Sequence, residues 1–218
     1  MCKALTGLRV SEFKDVVTDF NYYYSEYQAK RKKNRQRKIG GGRNSRIETI
    51  EEKLFYVLWY MKTYPTFDVA SFQVGFARSS ACYWMHELLP ILEMTMKRKF
   101  VLPQRKISDP EEYFRLFPEA KEVFVDAVER LKQRPKKKKA AQKAYSGKKK
   151  PRGGELTASE KETNKIISSY RAIVEHAIGG IKRYRCMSEK LRNHKPFIDD
   201  QFLLLTAGLW NYHLSFPT

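Results

Sequence analysis

The chain has 218 residues, with 42% hydrophobic and 13% aromatic content, enough for a packed core in one large domain or two small ones. Its formal net charge is +19, from 43 basic against 24 acidic residues. No apolar run approaches the roughly 18 residues of a membrane span, and the N-terminus does not read as a signal peptide. Cys2, Cys82 and Cys186 are odd in number and widely separated. That argues against a disulfide framework or a zinc site and fits a reducing cytoplasm. His86, His176, His194 and His213 are scattered in the same way.

The charge is concentrated in two places. Lys30–Arg46 carries nine basic residues and no acid, and Arg130–Arg152 carries twelve and no acid. Removing those 21 leaves 22 basic against 24 acidic residues, a nearly neutral body. Two dense cationic tracts on such a body imply a polyanion partner, nucleic acid before membrane, because neither tract adjoins an amphipathic or lipidated anchor.

In chain order, Leu5-Thr6-Gly7-Leu8 is a short lead-in, and Ser11 is placed to cap a helix. Phe13, Val16, Val17, Phe20 and Tyr24 recur at helical spacing up to the basic run, which includes Arg31, Lys32, Lys33 and Arg35. Gly40-Gly41-Gly42 then forms a flexible joint. A second helix is expected over Ile47–Met61, ended by Tyr64-Pro65 because the residue before a proline avoids the helical region.

Asp68–Phe72 reads as a short helix and Gln73–Phe76 as a turn. A longer helix follows, with Ala81, Trp84, Met85, Leu88, Leu89 and Leu92 on one face. Short helix, glycine turn and longer amphipathic helix describe a helix-turn-helix. In that reading Arg78, Ser79, Ser80 and Tyr83 enter the major groove of double-stranded DNA. The ordinary alternative is a plain helical bundle. Ala77, at the entry to the long helix, offers no side-chain cap.

After Pro103, Glu122–Asp126 reads as a short strand ending in an acid. A disordered basic linker is expected near 132–156, and Thr157 with Glu160 makes a capping box for the next helix. The stretch Ser168–Arg185 is helical by pattern, with Ile167, Tyr170, Val174, Ala177, Ile178 and Ile181 on one face. Arg171, Glu175 and Lys182 fall within about 40° of each other along its edge. A solvated ion-pair stripe accounts for such spacing, although Arg before Glu is the poorer order. Gly179-Gly180 costs on the order of 1 kcal/mol per glycine with no local gain visible in the sequence. Asp199-Asp200 is placed to cap a last, mostly apolar helix over Phe202–Leu214.

Arg171-x3-Glu175-x6-Lys182, inside VEHAIGGIKRYR, resembles the C-terminal signature of bacterial insertion-sequence transposases of the DDE type. LTGL with a basic run ending in GGGR, and Tyr145-Ser146-Gly147-Lys148, resemble other parts of the same family. The resemblance implies a ribonuclease-H-like endonuclease whose three acids hold Mg²⁺ or Mn²⁺, with Asp126 as first acid and Glu175 as last. It also implies that Arg171 and Lys182 engage transposon-end DNA. The chain departs from the pattern at Ser168, where related members carry Tyr, and around Asp126. There Glu129 and Arg130 are kept but the family's Gly, Thr and Pro are replaced by Ala127, Val128 and Leu131.

The largest departure lies between the two acids. The 48 residues from 127 to 174 contain no Asp, whereas the missing strands, helix and loops of such a core need roughly 80 residues. An internal deletion near Lys148–Arg152 accounts for this. Two-metal chemistry clamps both ions about 3.5–4 Å apart, so a chain without the second acid is expected to bind metal weakly and not to transfer strands. The expected architecture is therefore mainly α. A helix-turn-helix domain with a basic arm spans 1–95, and an incomplete α/β remnant with a long C-terminal catalytic-type helix spans 104–218. The expected partners are double-stranded DNA at transposon ends, a second copy of the chain or a full-length transposase, in a bacterial cytoplasm at the nucleoid. A basic nucleic-acid binder or repressor without enzymatic ancestry in use is the alternative, and an active nuclease would need an acid from a partner subunit.

Overall fold

The structure, a computed structural model, describes residues 1–32, 45–103, 111, 115 and 175–216. Its helices are α1 (Cys2–Thr6), α2 (Val10–Lys32), α3 (Ile50–Thr63), α4 (Phe67–Val74) and α5 (Arg78–Arg98). A helical stretch over 175–182 is α6, followed by α7 (Arg185–Ser188) and α8 (Ile198–Ser215). The described part is mainly helical and contains no strand. The strand expected at Glu122–Asp126, the basic linker near 132–156 and the capping box at Thr157 lie outside the described residues.

The central element is α3. Leu54, Val57, Leu58 and Met61 recur every three or four residues and are all fully buried, which is the signature of a helix with a wide apolar face. It packs against α1, α2, α5 and α7. Its start lies at Ile50 rather than Ile47, because Thr49 and Glu52 close a capping box. Each side chain satisfies a backbone N–H that the first turn leaves without an internal partner. Its end is where the sequence puts it. Tyr64 turns into the left-handed region (φ 45°) just before Pro65, and its N–H bonds to Tyr60 O at 2.7 Å.

Other boundaries also differ from the sequence reading, among them α4, which runs to Val74 rather than Phe72. Ser11 is not a cap, since α2 already begins at Val10 and the Arg9 N–H donates to the Glu12 carboxylate at 2.5 Å. Asp199 and Asp200 lie inside the first turn of α8, whose N-cap, Phe197, gives no side-chain bond. The helix expected to run through Arg185 breaks at Arg183-Tyr184. Tyr184 is 3% exposed and its hydroxyl would lie 2.4 Å from a Cβ added at Gly7. The break coincides with burial of that ring against the end of α1.

The C-terminal helices share one core with the N-terminal ones. Phe202, Leu205 and Leu209 of α8 are buried in the same cluster as Leu8, Phe20 and Leu58, and burying each such side chain contributes about 1.5–3 kcal/mol. Gly180 of α6 explains itself here: a Cβ at that position would meet the Trp210 indole at 2.2 Å, whereas Gly179 has nothing within 4 Å. Gly208 admits Leu102 in the same manner, at 2.5 Å. The close approach of helices is the gain that offsets the helix cost of Gly180.

Polar groups line the rest of this seam. Glu12 is fully buried and its carboxylate meets His213 Nδ1 at 2.6 Å. The Tyr212 hydroxyl donates to Asp15 at 2.5 Å and lies 3.2 Å from the Glu12 carbonyl. Lys99 bridges Asp15 and Asp19 at 2.6 and 2.8 Å. Burial works against the Asp15 charge, but hydrogen bonds from Lys99 and Tyr212 hold its carboxyl below the usual carboxylate range. Lys99 is likewise disfavoured by burial yet raised above its ordinary value by both aspartates. Elsewhere, Asn211 Nδ2 donates to Val101 O at 2.9 Å and Lys62 Nζ to Arg183 O at 2.6 Å. The Arg192 guanidinium donates to Tyr64 O and stacks over the Tyr64 ring, 4.4 Å from its centroid.

Candidate nucleic-acid interface

The α4–α5 unit begins at Thr66, whose hydroxyl accepts the Val69 N–H at 3.3 Å. It turns at Gly75, where φ is 77° and the N–H closes on Ser71 O at 2.8 Å. Glycine takes that left-handed conformation without the Cβ penalty. Ala77 is the N-cap of α5 and makes no side-chain capping bond, as its methyl group requires.

One face of α5 is sealed. Ala81, Met85, Leu88, Leu89 and Leu92 are fully buried, and the Tyr56 hydroxyl donates to Ala81 O at 2.8 Å. On the other side, at the start of the helix, Arg78, Ser79 and Tyr83 are exposed and Ser80 is half-buried. Arg78 Nε lies 3.1 Å from Asp68 Oδ1 across the turn, an exposed pair of little energetic weight. At 100° per residue Ser79, Tyr83 and His86 share one stripe of α5.

The end of α2 reaches this stripe. Arg31 donates to the Tyr83 hydroxyl at 2.5 Å and to the Glu87 carboxylate, and Tyr27 donates to Glu87 at 3.4 Å. The hydrogen bond to Tyr83 raises the Arg31 pKa above its ordinary value. Arg31 therefore fastens α2 to α5 rather than standing free in solvent. Lys32 closes α2, and Lys33 and Arg35 lie outside the described residues. The basic run thus departs from the helix end that Arg31 docks beside the start of α5.

Of the groups implied as catalytic, Glu175 lies at the exposed start of the described part of α6, and Lys182 is exposed at its end. Seven residues apart, they lie within about 20° on one stripe. Asp126 and Arg171 lie outside the described residues. On the face expected to be apolar, Ala177 is exposed and Ile178 and Ile181 are half-buried; the buried Gly180 lies about 100° around the helix from that face. Among the described residues no group of three or more His, Cys, Asp or Glu is placed to hold a metal ion.

Sequence reasoning missed a third cationic stretch. Residues 182–195 carry Lys182, Arg183, Arg185, Lys190, Arg192 and Lys195 against the single acid Glu189. A count of uninterrupted basic runs passes over it, because apolar residues such as Tyr184, Cys186 and Leu191 are interleaved and buried. Alternation of buried apolar with exposed basic residues was the available signal. The field is felt locally. Lys62 is depressed below its ordinary value by burial and then by Arg183 and Arg185, and His86 by burial and then by Lys195.

The sequence model of one family, described as DDE superfamily endonuclease, matches residues 117–211, less than half of the chain. That match supports a DDE-type, transposase-like nuclease family for this part, a family that generally uses divalent metals. No curated protein and no solved structure matches. Among the described residues no helix is long and apolar enough to cross a membrane.

Proposed function

We propose that this is a transposase-derived DNA-binding protein that engages duplex DNA through a helix-turn-helix and does not cleave it. One arrangement carries the reading. The start of α5 exposes Arg78, Ser79 and Tyr83, with Ser80 half-buried, after a glycine turn, and Arg31 at the end of α2 bonds to Tyr83 on that surface. An amphipathic helix sealed on one face and polar at its exposed start has the form of a recognition helix, and an adjoining cationic arm supplies phosphate contacts. The matched endonuclease family supplies the ancestry. The loss of cleavage rests on the 48 residues between Asp126 and Glu175, which contain no second Asp.

The test is a gel-shift series with terminal-inverted-repeat DNA, random duplex and structured RNA, paired with a nicking assay in Mg²⁺ and in Mn²⁺. Duplex binding that weakens steeply between about 50 and 200 mM salt, with no nicking, is the expected outcome. Nicking that disappears in both Asp126→Ala and Glu175→Ala would overturn the non-catalytic reading. Preference for the inverted repeat over random duplex separates a transposon-end reader from a sequence-tolerant binder or repressor.

A further inference from the structure

We propose that the loop 190–196 is a second backbone-contacting element, which extends the α5 stripe and places Lys190 and Lys195 against the phosphates of the duplex that α5 reads. The proposal rests on the DNA-binding reading above and adds residues to it that neither the helix-turn-helix nor the two long cationic runs include.

Position comes first. Asn193 Nδ2 lies 3.4 Å from His86 Nε2, so the loop sits beside the turn of α5 that follows Tyr83. Ser79, Tyr83 and His86 lie on one stripe, and the loop continues that stripe beyond the part of α5 that is open to solvent. A duplex laid along the start of α5 meets the loop next.

Fixation comes second. Leu191 is 9% exposed. The Arg192 guanidinium is held by the Tyr64 carbonyl and ring and lies 3.5 Å from Glu189, while the Arg192 N–H donates to the Tyr64 hydroxyl at 3.1 Å. The Lys195 N–H donates to Asn193 Oδ1 at 3.0 Å. A loop anchored through Leu191 and Arg192 and braced by its own Asn193–Lys195 bond presents its lysines with less conformational entropy to lose on binding than a free tail.

Charge comes third. Arg192 and Arg185 are partnered with Glu189, whereas Lys190 and Lys195 are exposed and have no ion-pair partner among the described residues. Lysine as a point charge without fixed geometry suits phosphate contacts that carry no sequence information.

The test uses the full chain and a labelled random-sequence duplex, with dissociation constants measured by anisotropy between about 50 and 200 mM salt. Lys190→Gln/Lys195→Gln is compared with Lys14→Gln/Lys97→Gln, an equal change of charge at the opposite end of the α2–α5 pair, and with Arg78→Gln. The loop double variant is expected to weaken binding and to lower the slope of log K against log salt by about 1–2, since each neutralised phosphate contributes about 0.9. The distal double variant is expected to keep the wild-type slope. Equal effects of the two doubles would overturn the proposal, because net charge would then explain both. A loop variant with wild-type affinity and slope, alongside a weakened Arg78→Gln, overturns the loop and leaves the helix-turn-helix standing. Absence of duplex binding by the wild-type chain removes both.

Discussion

Two surfaces of α5 are treated in opposite ways. Its inner side and its last turns join a seam with α2 and α8 in which Leu88, Leu92, Thr95 and Met96 are buried, and charged groups such as Lys99 are paired on two sides. Its outer first turns expose Arg78, Ser79 and Tyr83, with a single exposed ion pair to Asp68 across the turn. The seam includes residues within the stretch that matches the endonuclease family. In the described structure those residues complete the core of the N-terminal helices. The difference teaches that one stretch of sequence can carry the mark of a catalytic family and act structurally, while the surface left open belongs to the other half of the chain.

Substitutions that separate stability from binding sharpen this contrast. The largest effect is expected from Gly180→Ala, whose new Cβ would sit 2.2 Å from the Trp210 ring. Overpacking of this kind costs about 1–3 kcal/mol, read as a lower urea midpoint. A midpoint equal to wild type would mean that α6 and α8 do not approach as described.

Arg192→Ala comes next. It removes a charged hydrogen bond to the Tyr64 carbonyl and the stacked guanidinium, and because Arg192 is 41% exposed the loss is expected near ~1 kcal/mol. Lysine should not restore it, since an ammonium can neither stack nor fork. Full rescue by Arg192→Lys would show that charge alone holds the loop.

Ala77→Ser works in the opposite direction. A hydroxyl at the empty N-cap of α5 is expected to add about 1 kcal/mol, raising the thermal midpoint. Gly179→Ala, in open space within α6, is expected to add roughly 0.5–1 kcal/mol through helix propensity. The neighbouring glycines of one dipeptide should therefore respond with opposite signs, and the same sign for both would break the comparison.

The smallest effect is a change of pH dependence. The folded-state pKa of Asp15 is depressed below its ordinary 3.8. Its contribution is present above that value and is lost as pH falls through the lower folded value. Lys99 is raised above its ordinary 10.5, so its contribution is full below that value and is lost as pH climbs through the raised one. Asp15→Asn is expected to flatten the acid limb of the stability curve below about pH 3.8. An acid limb as steep as wild type would remove Asp15 from the account.

Much of the helical layout was legible. The buried faces of α3 and α5, the stop at Tyr64-Pro65, the turn at Gly75 and the missing cap at Ala77 all follow from periodicity and from local backbone chemistry, which neighbours in sequence suffice to determine. The start of α3 was also written in Thr49 and Glu52, a capping box passed over in favour of hydrophobic spacing. Other features depend on partners far away in the chain. Gly180 looks wasteful until Trp210 arrives 30 residues later, and the helix break at Arg183-Tyr184 makes sense only once Tyr184 lies on Gly7. Glu12, read alone, is one more surface acid, but His213 makes it a buried one. Local rules settle where a helix begins and which face is apolar, because those energies arise between residues a turn apart. Close approach, burial of charge and the place of the 190–196 loop beside α5 arise between residues far apart in the chain, from the 30 positions that separate Gly180 and Trp210 upward, and packing alone decided them.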